Sequence, residues 1–344
     1  MTAVAVVDRV PARAVPDFVR RNWLVDPWFD LFFIINAAWP LLLIVQWSDG
    51  FQGRAGLQFW QVYFVTTPHR WITLAIVFLD RQRFQQRPTV FVGWLAIIVA
   101  GCAAVRLSTG TLTCLLAVDY VWNAWHFAAQ HHGIYRIYCR LTDATGGWPV
   151  FVERWVLRLF LLYVTLRVAI ATWSISAWQP IFDVADWLVP AGPLALLVRD
   201  CVSFQRVSVG RLAYLLSISA LYGSLLWAVH TRRPALVLSL TTASAMFHAV
   251  EYLAIVTWSV QRRDELSRGS MGWLGMLASQ WLIVLSSYLV VLGSAAWFMD
   301  QAWTQAWLFL NVIAAFLHYT YDGLIWRHRP VTPRGRTRIT ATSQ

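Results

Sequence analysis

Residues 119–133 read DYVWNAWHFAAQHHG and place an acid, an amide and three histidines at the end of an apolar run that begins near residue 111. An apolar run of this length predicts a membrane-spanning helix. Ionisable side chains inside a membrane are costly, face the protein interior and commonly have a function. The stretch therefore predicts a bundle of membrane helices with a polar interior.

The composition of the whole chain agrees with this prediction. Of the 344 residues, 58% are hydrophobic and 13% are charged, about half the charged share of ordinary soluble domains. The net charge is +11, but no soluble domain or base-reading helix accompanies it, so no nucleic-acid partner is expected. The four cysteines form no CxxC pair and predict neither a disulfide framework nor thiolate metal ligands. We predict an all-α, polytopic transmembrane helical bundle.

Long apolar windows predict about ten membrane spans, and eight to ten fit the hydropathy pattern. The windows lie near residues 30–47, 57–79, 90–107, 111–133, 154–174, 179–198, 211–229, 234–260, 272–298 and 303–326. The sixth window contains Asp183, Asp186, Pro190 and Pro193, which also fits a broken, re-entrant or interfacial segment. The sequence leaves open whether this window crosses the bilayer.

The arginines favour one orientation. With ten crossings, most arginines fall on the side of both termini, and the positive-inside rule then places the termini in the cytoplasm. Residues 1–28 are expected to form a cytoplasmic lead-in, residues 29–326 a single transmembrane helical domain, and residues 327–344 a polar cytoplasmic tail. No removable signal peptide is predicted. We expect an integral protein of a bacterial inner membrane.

Four blocks within the predicted spans carry histidine, at His69, at residues 126–132, at His248 and at His318. With ten crossings and a helical rise of about 1.5 Å per residue, all four blocks fall in the cytoplasmic half of the bilayer. Independent packing histidines have no reason to share a depth. We therefore predict that the four segments meet at one site.

The fourth span carries a polar stripe at helical spacing, which consists of Asp119, Asn123, His126 and Gln130. On a straight helix, His131 and His132 point about 120° and 220° away from His126. One of this pair joins the site only if the helix ends or bends there, which Gly133 would permit. Otherwise both rings are expected at the level of the lipid head groups.

Two further spans pair a histidine with an acid. His248 and Glu251 form an HxxE pair, a spacing that suits two ligands of one metal. His318 lies one turn before Asp322, which would either ligate the metal or accept the ring N–H of a ligating histidine. The alternative for both pairs is a buried polar contact or an interfacial ion pair without metal.

The second span places Pro68 and Arg70 on either side of His69. Proline predicts a kink that frees backbone carbonyls around the histidine. The adjacent arginine would be a buried cation that needs a partner. Asp119, Glu251 or a substrate carboxylate or phosphate could supply one.

The candidate metal ligands are His69, His126, His131, His132, His248, Glu251 and His318. The candidate catalytic or substrate-orienting residues are Glu251, Asp322, Asp119 and Arg70. Imidazole and carboxylate without thiolate suit iron, zinc, manganese or copper. One or two iron ions are expected as cofactor, because iron held by histidine and carboxylate leaves positions for dioxygen.

The separated histidine blocks, and the HFAAQHH block at residues 126–132, resemble the histidine-motif integral membrane oxygenases, which include fatty-acid desaturases, hydroxylases and alkane monooxygenases. This resemblance implies non-haem iron, dioxygen, a lipid-like substrate and an active site on the cytoplasmic side. Single histidines spread over several spans, with the early dipeptide Pro68-His69, also resemble the Brp/Blh-type β-carotene dioxygenases.

The leading hypothesis is a membrane metal oxidoreductase that uses dioxygen on a lipid, isoprenoid or other apolar molecule. The expected partners are membrane lipids, this apolar substrate and a separate electron donor. Two hypotheses from other classes stay open. The same buried histidines and acids would form the proton relay of a proton-coupled transporter, or two histidines would bind haem axially. A purely structural membrane protein is a further alternative.

Overall fold

The structure is a computed structural model that describes residues 22–48, 57–141, 148–172, 179–203, 208–267 and 277–326. Within these residues every regular element is a helix and no strand occurs, which confirms the predicted all-α bundle. Seven helices are long and apolar enough to cross a membrane, and an eighth span results if the bent pair Pro27–Ile34 and Trp39–Ser48 counts as one. The protein is therefore a membrane protein, and the number of ten crossings stays a prediction.

The helices follow one another as α1 (Pro27–Ile34), α2 (Trp39–Ser48), α3 (Leu57–Leu79), α4 (Arg81–Gln86), α5 (Pro88–Thr109), α6 (Thr113–Leu141), α7 (Val150–Thr172), α8 (Gln179–Leu188), α9 (Ala191–Val202), α10 (Val209–His230), α11 (Pro234–Ser267) and α12 (Trp281–Ile325). The uncertain sixth window consists of α8 and α9, with Pro190 in the turn between them, and the two together, Gln179–Val202, count as one of the seven candidate spans. Residues 1–21 of the predicted lead-in and the predicted tail at 327–344 lie outside the described residues.

Helix α3 widens just before Pro68. Residues Gln61–Thr66 form π-helical turns, and regular α-helix resumes at Thr67. Proline lacks a backbone N–H and cannot continue the regular ladder, and π-helical turns are a common way to accommodate such an irregularity near functional sites. The irregularity expected around Pro68 is therefore a π-helical segment that ends one turn before His69.

Helix α6 continues through Gly133 to Leu141. The end or bend that this glycine would permit does not occur, because the helix continues past it. Consequently His131 and His132 point to different neighbours of α6. Helix α6 is not among the seven apolar candidate spans, in keeping with the polar stripe that it carries.

The first part of α12 runs antiparallel to α3. The Tyr288 hydroxyl donates to the Pro68 carbonyl at 2.9 Å, whereas the later residue Trp297 packs against Phe59, near the start of α3. The contacts thus move towards the start of α3 as the chain advances along α12. At Trp303 the backbone is non-helical, with φ −143° and ψ 55°.

The second part of α12 runs parallel to α3. Asn311 accepts a hydrogen bond from Trp71 at 3.1 Å, and Asp322 lies 3.5 Å from the Thr73 hydroxyl. The chain therefore reverses near Trp303, in agreement with the two separate windows predicted at 272–298 and 303–326. This hairpin returns α12 to the centre of the bundle.

The helices pack as two groups around α6 and α11. Helix α12 packs on α3, α5 and α6, and helix α11 packs on α1, α2, α3 and α10. On the other side, α6, α7, α9 and α10 pack together around an apolar core. Helices α3, α6, α11 and α12 thus surround one interior region, and each carries one of the predicted histidine blocks.

Candidate metal site in the membrane interior

One histidine from each of the four central helices reaches the same region of the interior. The four residues are His69 on α3, His126 on α6, His248 on α11 and His318 on α12. All four side chains are buried. Neighbouring ring centroids are 4.6 to 5.3 Å apart. The structure therefore brings together the four histidines that the sequence placed at one depth.

The ring nitrogens of these histidines face one another. His126 Nε2 lies 3.1 Å from His318 Nε2, and His69, His248 and His318 each offer one nitrogen within 4.8 Å of the others. Two nitrogens bound to one metal at about 2.1 Å lie roughly 3.0 to 3.4 Å apart. Both nitrogens of His248 are buried and have no hydrogen-bond partner among the described residues. The arrangement can hold a metal ion.

Hydrogen bonds on the far side of His318 fix its orientation. The Thr73 hydroxyl lies 2.6 Å from His318 Nδ1 and 2.6 Å from the Tyr252 hydroxyl. Tyr252 in turn donates to Asp322 Oδ1 at 2.6 Å. Because Nδ1 is engaged by Thr73, Nε2 faces the other histidines. A partner of this kind orients metal-binding imidazoles in known sites.

Asp322 lies beside the histidines without contacting them directly. Its Oδ2 atom is 3.8 Å from His126 Nε2 and 3.9 Å from His318 Nε2. One oxygen is bound by Tyr252, and the other faces the imidazoles. Both predicted roles of Asp322, as a ligand or as a residue that supports a ligand, are compatible with this position.

Glu251 and His131 form a hydrogen-bonded cluster next to the four histidines. His131 Nδ1 lies 2.9 Å from the Tyr214 hydroxyl, and His131 Nε2 lies 3.1 Å from the Tyr222 hydroxyl. Tyr214 also donates to Glu251 Oε1, and Gln130 donates to Glu251 Oε2 at 2.7 Å. The side chain of His131 is therefore satisfied without a metal. The two tyrosines lie in an apolar stretch of α10, and nothing in their spacing singled them out in the sequence.

This cluster adjoins the four histidines through His248. Gln130 donates to the His248 carbonyl at 3.0 Å, and His131 Nδ1 lies 3.3 Å from Glu251 Oε2. His131, His248 and Glu251 offer ligand atoms within 4.8 Å of one another. Of the predicted ligands, Glu251 and His131 thus lie at the border of the site.

His132 faces another part of the molecule. It belongs to none of the ligand groups found among the described residues. Its spacing on α6 places it on the face of Trp125 and Arg136, and Trp125 contacts Arg158 of α7. The structure does not bring this predicted ligand to the four histidines, because α6 continues without a bend.

Arg70 and Asp119 lie one layer away from the histidines. Arg70 Nη1 is 4.0 Å from Asp119 Oδ2. Asp119 is one of the partners predicted for Arg70. The Tyr319 hydroxyl donates to Asp119 Oδ1 at 2.9 Å and lies 3.0 Å from Asn123 Oδ1. The ring of Tyr319 packs on His126, with centroids 4.9 Å apart. Tyr319 therefore links Asp119 to the site, and Arg70 lies next to His69 in the chain.

Apolar and aromatic side chains close the site. Phe127 stacks on His248 with ring centroids 3.8 Å apart and an angle of 20°, and Tyr252 lies edge-on to His318 at 4.9 Å. Water is therefore largely kept from the imidazoles. In such surroundings an unpaired polar nitrogen is costly.

Comparisons of the chain with models of protein families, with characterised proteins and with solved structures give no match. The likeness to membrane oxygenases therefore stays a prediction from the histidine blocks. The function has to be argued from the geometry of the site and from its position inside a membrane protein.

Proposed function

We propose that the protein is an integral membrane metal oxidoreductase whose metal centre is held by His69, His126, His248 and His318. The observation that carries the proposal is the convergence of four buried imidazoles, among which both nitrogens of His248 lack a partner. Leaving one buried polar group unsatisfied costs roughly 1–3 kcal/mol. A transition-metal ion would satisfy several of these nitrogens at once.

The ligand chemistry favours iron, as one or two ions. Asp322 and Glu251 supply carboxylate oxygens beside the imidazoles, and none of the ligand groups among the described residues contains a cysteine. Iron accepts such a set, although zinc, manganese and copper do so as well. When bound, iron would supply reactivity towards dioxygen.

The protein's own residues would orient the ligands and handle protons. Thr73 holds His318 through Nδ1, and the contact from Tyr252 to Asp322 places a hydroxyl and a carboxyl group beside the imidazoles. Such a pair can hold or move a proton at the Asp322 oxygen that faces the histidines. Arg70, 25% exposed and paired with Asp119, would orient the polar end of a substrate.

The position of the site supports an apolar substrate. The four histidines lie within a bundle of membrane helices and behind Phe127, so a lipid, an isoprenoid or another apolar molecule would reach them from the bilayer. The electrons would come from a separate donor or from the substrate itself. We further propose a bacterial inner membrane with both termini in the cytoplasm, as the arginine distribution favours.

Metal analysis combined with an optical spectrum of the detergent-purified protein tests the proposal. We expect one or two equivalents of iron and no Soret band. The double variant His126→Ala/His248→Ala should lose the metal while still inserting into the membrane. His132→Ala is the matched control, because His132 is a buried histidine of α6 that belongs to none of the ligand groups among the described residues. Stoichiometric metal in the double variant would contradict the proposal.

A haem protein with two axial histidines is supported less well than a directly bound metal ion. Axial histidines lie on opposite faces of a porphyrin, which requires a space as wide as the macrocycle between them. Here the four rings pack within 4.6 to 5.3 Å of their neighbours. This close packing supports a directly bound metal ion more than a haem.

A proton-coupled transporter is the second candidate, and one observation favours it. Glu251, Tyr214, His131 and Tyr222 form a continuous series of hydrogen bonds in the interior. Buried series of this kind conduct protons in membrane transporters. Protein that is free of metal after anaerobic purification would favour the transporter over the oxidoreductase.

A further inference from the structure

A second group of polar side chains lies on the face between α6 and α7, away from the four histidines. On α6 the face carries Trp125, His132, Arg136 and Arg140, whose spacing places them on one side of the helix. On α7, which packs against α6, Arg154 and Arg158 lie one turn apart. The Arg158 guanidinium lies over the Trp125 ring at 5.1 Å. We refer to His132, Arg136, Arg140, Arg154 and Arg158 as the arginine cleft.

Two nitrogen atoms of the arginine cleft are buried without a partner. His132 is 95% buried, with 5% of its surface exposed, and its Nε2 atom has no hydrogen-bond partner among the described residues. The Arg158 Nε atom is likewise buried and has no hydrogen-bond partner among the described residues. Arg136 lies one turn beyond His132 on α6, and Arg158 of α7 lies over Trp125 on the same face of α6. The cleft therefore holds two buried nitrogens without a partner among the described residues, next to several arginines.

The acids nearby do not neutralise the arginine cleft. Glu153 bonds Arg136 through one oxygen and Arg199 through the other, at 2.6 Å each. Among the described residues, no ion pair is found for Arg140, Arg154 or Arg158. The positive-inside rule accounts for arginines near the cytoplasmic face. It does not account for inward-facing nitrogens that lack a partner.

We propose that the arginine cleft binds a phosphate group. Guanidinium groups bind phosphate oxygens through paired, charge-assisted hydrogen bonds, and a buried imidazole supplies a further donor. The cleft lies within the last turns of α6, which ends at Leu141, and the first turns of α7, which begins at Val150. This is the level of phospholipid head groups in a membrane protein.

The neighbouring surface fits a ligand with an apolar tail. Phe151 is 65% exposed and Trp125 is 40% exposed, and both lie beside the arginines. The phosphate therefore belongs either to an anionic lipid or to a soluble phosphate compound. The inference is independent of the metal centre, because His132 and His126 point to different neighbours of α6.

Calorimetric titration of the full-length protein in detergent tests the proposal. The probes are dioctanoyl phosphatidylglycerol, dioctanoylglycerol, which has the same tails without a phosphate, and sodium phosphate. The variant Arg154→Gln/Arg158→Gln removes two charges from the cleft. The control Arg81→Gln/Arg87→Gln removes two exposed arginines at the ends of α4, which are predicted on the same membrane side.

We expect phosphatidylglycerol to bind at least about tenfold more weakly to Arg154→Gln/Arg158→Gln than to the wild type and to the control. Dioctanoylglycerol should bind to none of them specifically. Competition by sodium phosphate with the same dependence on the variants would identify a soluble phosphate compound as the ligand. Binding of phosphatidylglycerol alone would identify a lipid.

A second variant tests the proposal if Arg154→Gln/Arg158→Gln fails to fold. His132→Phe keeps an aromatic ring and removes the unpaired nitrogen, so phosphatidylglycerol should again bind more weakly, while the metal content stays that of the wild type. Equal binding by the wild type, both cleft variants and the control would overturn the proposal. Absence of saturable binding to the wild type would do the same.

Discussion

The partners of each ring nitrogen distinguish the histidines from one another. His248 offers two buried nitrogens without a partner, and Phe127 holds its ring in place. His131, whose ring centroid lies 6.2 Å from that of His248, has a tyrosine hydroxyl at each nitrogen, from Tyr214 and Tyr222. Burial alone does not separate the two residues, since both are fully buried. Their hydrogen bonds distinguish the two residues, because a nitrogen that bonds a hydroxyl is not available to a metal.

This difference predicts opposite outcomes for two matched substitutions. His248→Gln should lower the bound metal to less than about a tenth of the wild-type content, because it removes a ligand. His131→Gln should leave the metal content unchanged, because glutamine keeps a hydrogen-bonding group near the tyrosines. Metal content per folded protein, measured after gel filtration, compares the two. Equal loss in both variants would make His131 a ligand.

A second prediction concerns the hydroxyl that orients His318. Thr73→Val keeps the shape of the side chain and removes the contact at 2.6 Å with His318 Nδ1. Loss of such an orienting partner lowers metal affinity by roughly 10- to 100-fold. The shift is measured by competition with a chelator of known affinity.

The matched control for this measurement lies two turns earlier on the same helix. Thr66→Val removes a hydroxyl that, within the described residues, bonds the Val62 carbonyl at 3.2 Å and no histidine, so its metal affinity should equal that of the wild type. The same loss in Thr66→Val and Thr73→Val would attribute the effect to α3 as a whole. An unchanged affinity in Thr73→Val would show that the contact does not support the metal.

The residues of the candidate site could be predicted from the sequence only where their positions along the predicted spans place them at the same depth. His69, His126, His248 and His318 share a predicted depth, and the structure places them together. The tyrosines around His131 share no such signal, because an aromatic residue in an apolar span is common in any membrane helix. The direction of His131 and His132 depended on whether α6 is straight, which hydropathy does not report.

At the level of the helices, glycine has different roles at two positions. Nothing lies within 4 Å of a Cβ atom built at Gly133, which is exposed on a continuous helix. At Gly293, a Cβ atom would lie 2.5 Å from the ring of Phe64. The first glycine is dispensable for packing, whereas the second permits the close approach of α12 to the π-helical part of α3.

We therefore predict opposite effects of alanine at these two glycines. Gly133→Ala should stabilise the protein slightly, since glycine inside a helix costs roughly 0.5–1 kcal/mol relative to alanine. Gly293→Ala should destabilise it by about 1–3 kcal/mol, the usual cost of overpacking. Thermal unfolding in detergent, followed by tryptophan fluorescence, measures both melting temperatures. A melting temperature lowered equally by both changes would contradict the straight course of α6 through Gly133.

The hydropathy windows predicted the positions of the helices well where the length of an apolar run is enough to identify a helix. The hairpin of α12 was predicted, because the polar residues between 298 and 303 separate two apolar windows. The division of 179–198 into α8 and α9 was left open, because prolines fit a broken span and an interfacial segment equally well. The continuation of α6 to Leu141 was missed, since the polar residues after Gly133 are also typical of a loop.

Across the whole molecule, buried ion pairs tie the helix ends of one side together. Asp200 bonds Arg211 and Arg199 at 2.7 and 2.8 Å, and Arg199 reaches Glu153 on α7. The ends of α7, α9 and α10 are therefore linked on the side of the arginine cleft. This network could not be predicted from the sequence, because its pairing depends on which helix ends are neighbours.

Two native cysteines lie at helix ends on opposite sides of the predicted membrane. Cys114 is exposed at the start of α6, and Cys201 is exposed near the end of α9, next to the buried ion pairs. Cys102 and Cys139 are buried. With cytoplasmic termini, the start of α6 faces the outside and the end of α9 faces the cytoplasm, because one carries few arginines nearby and the other carries many.

Labelling with a membrane-impermeant maleimide tests this orientation. In intact cells without an outer membrane barrier, Cys114 should react and Cys201 should not, and both should react after lysis. The variants Cys114→Ser and Cys201→Ser assign each signal to its residue. The reverse pattern would place the termini outside and move the four histidines to the outer half of the bilayer. Labelling of both residues in intact cells would mean that the start of α6 and the end of α9 do not lie on opposite sides, which would contradict the predicted topology.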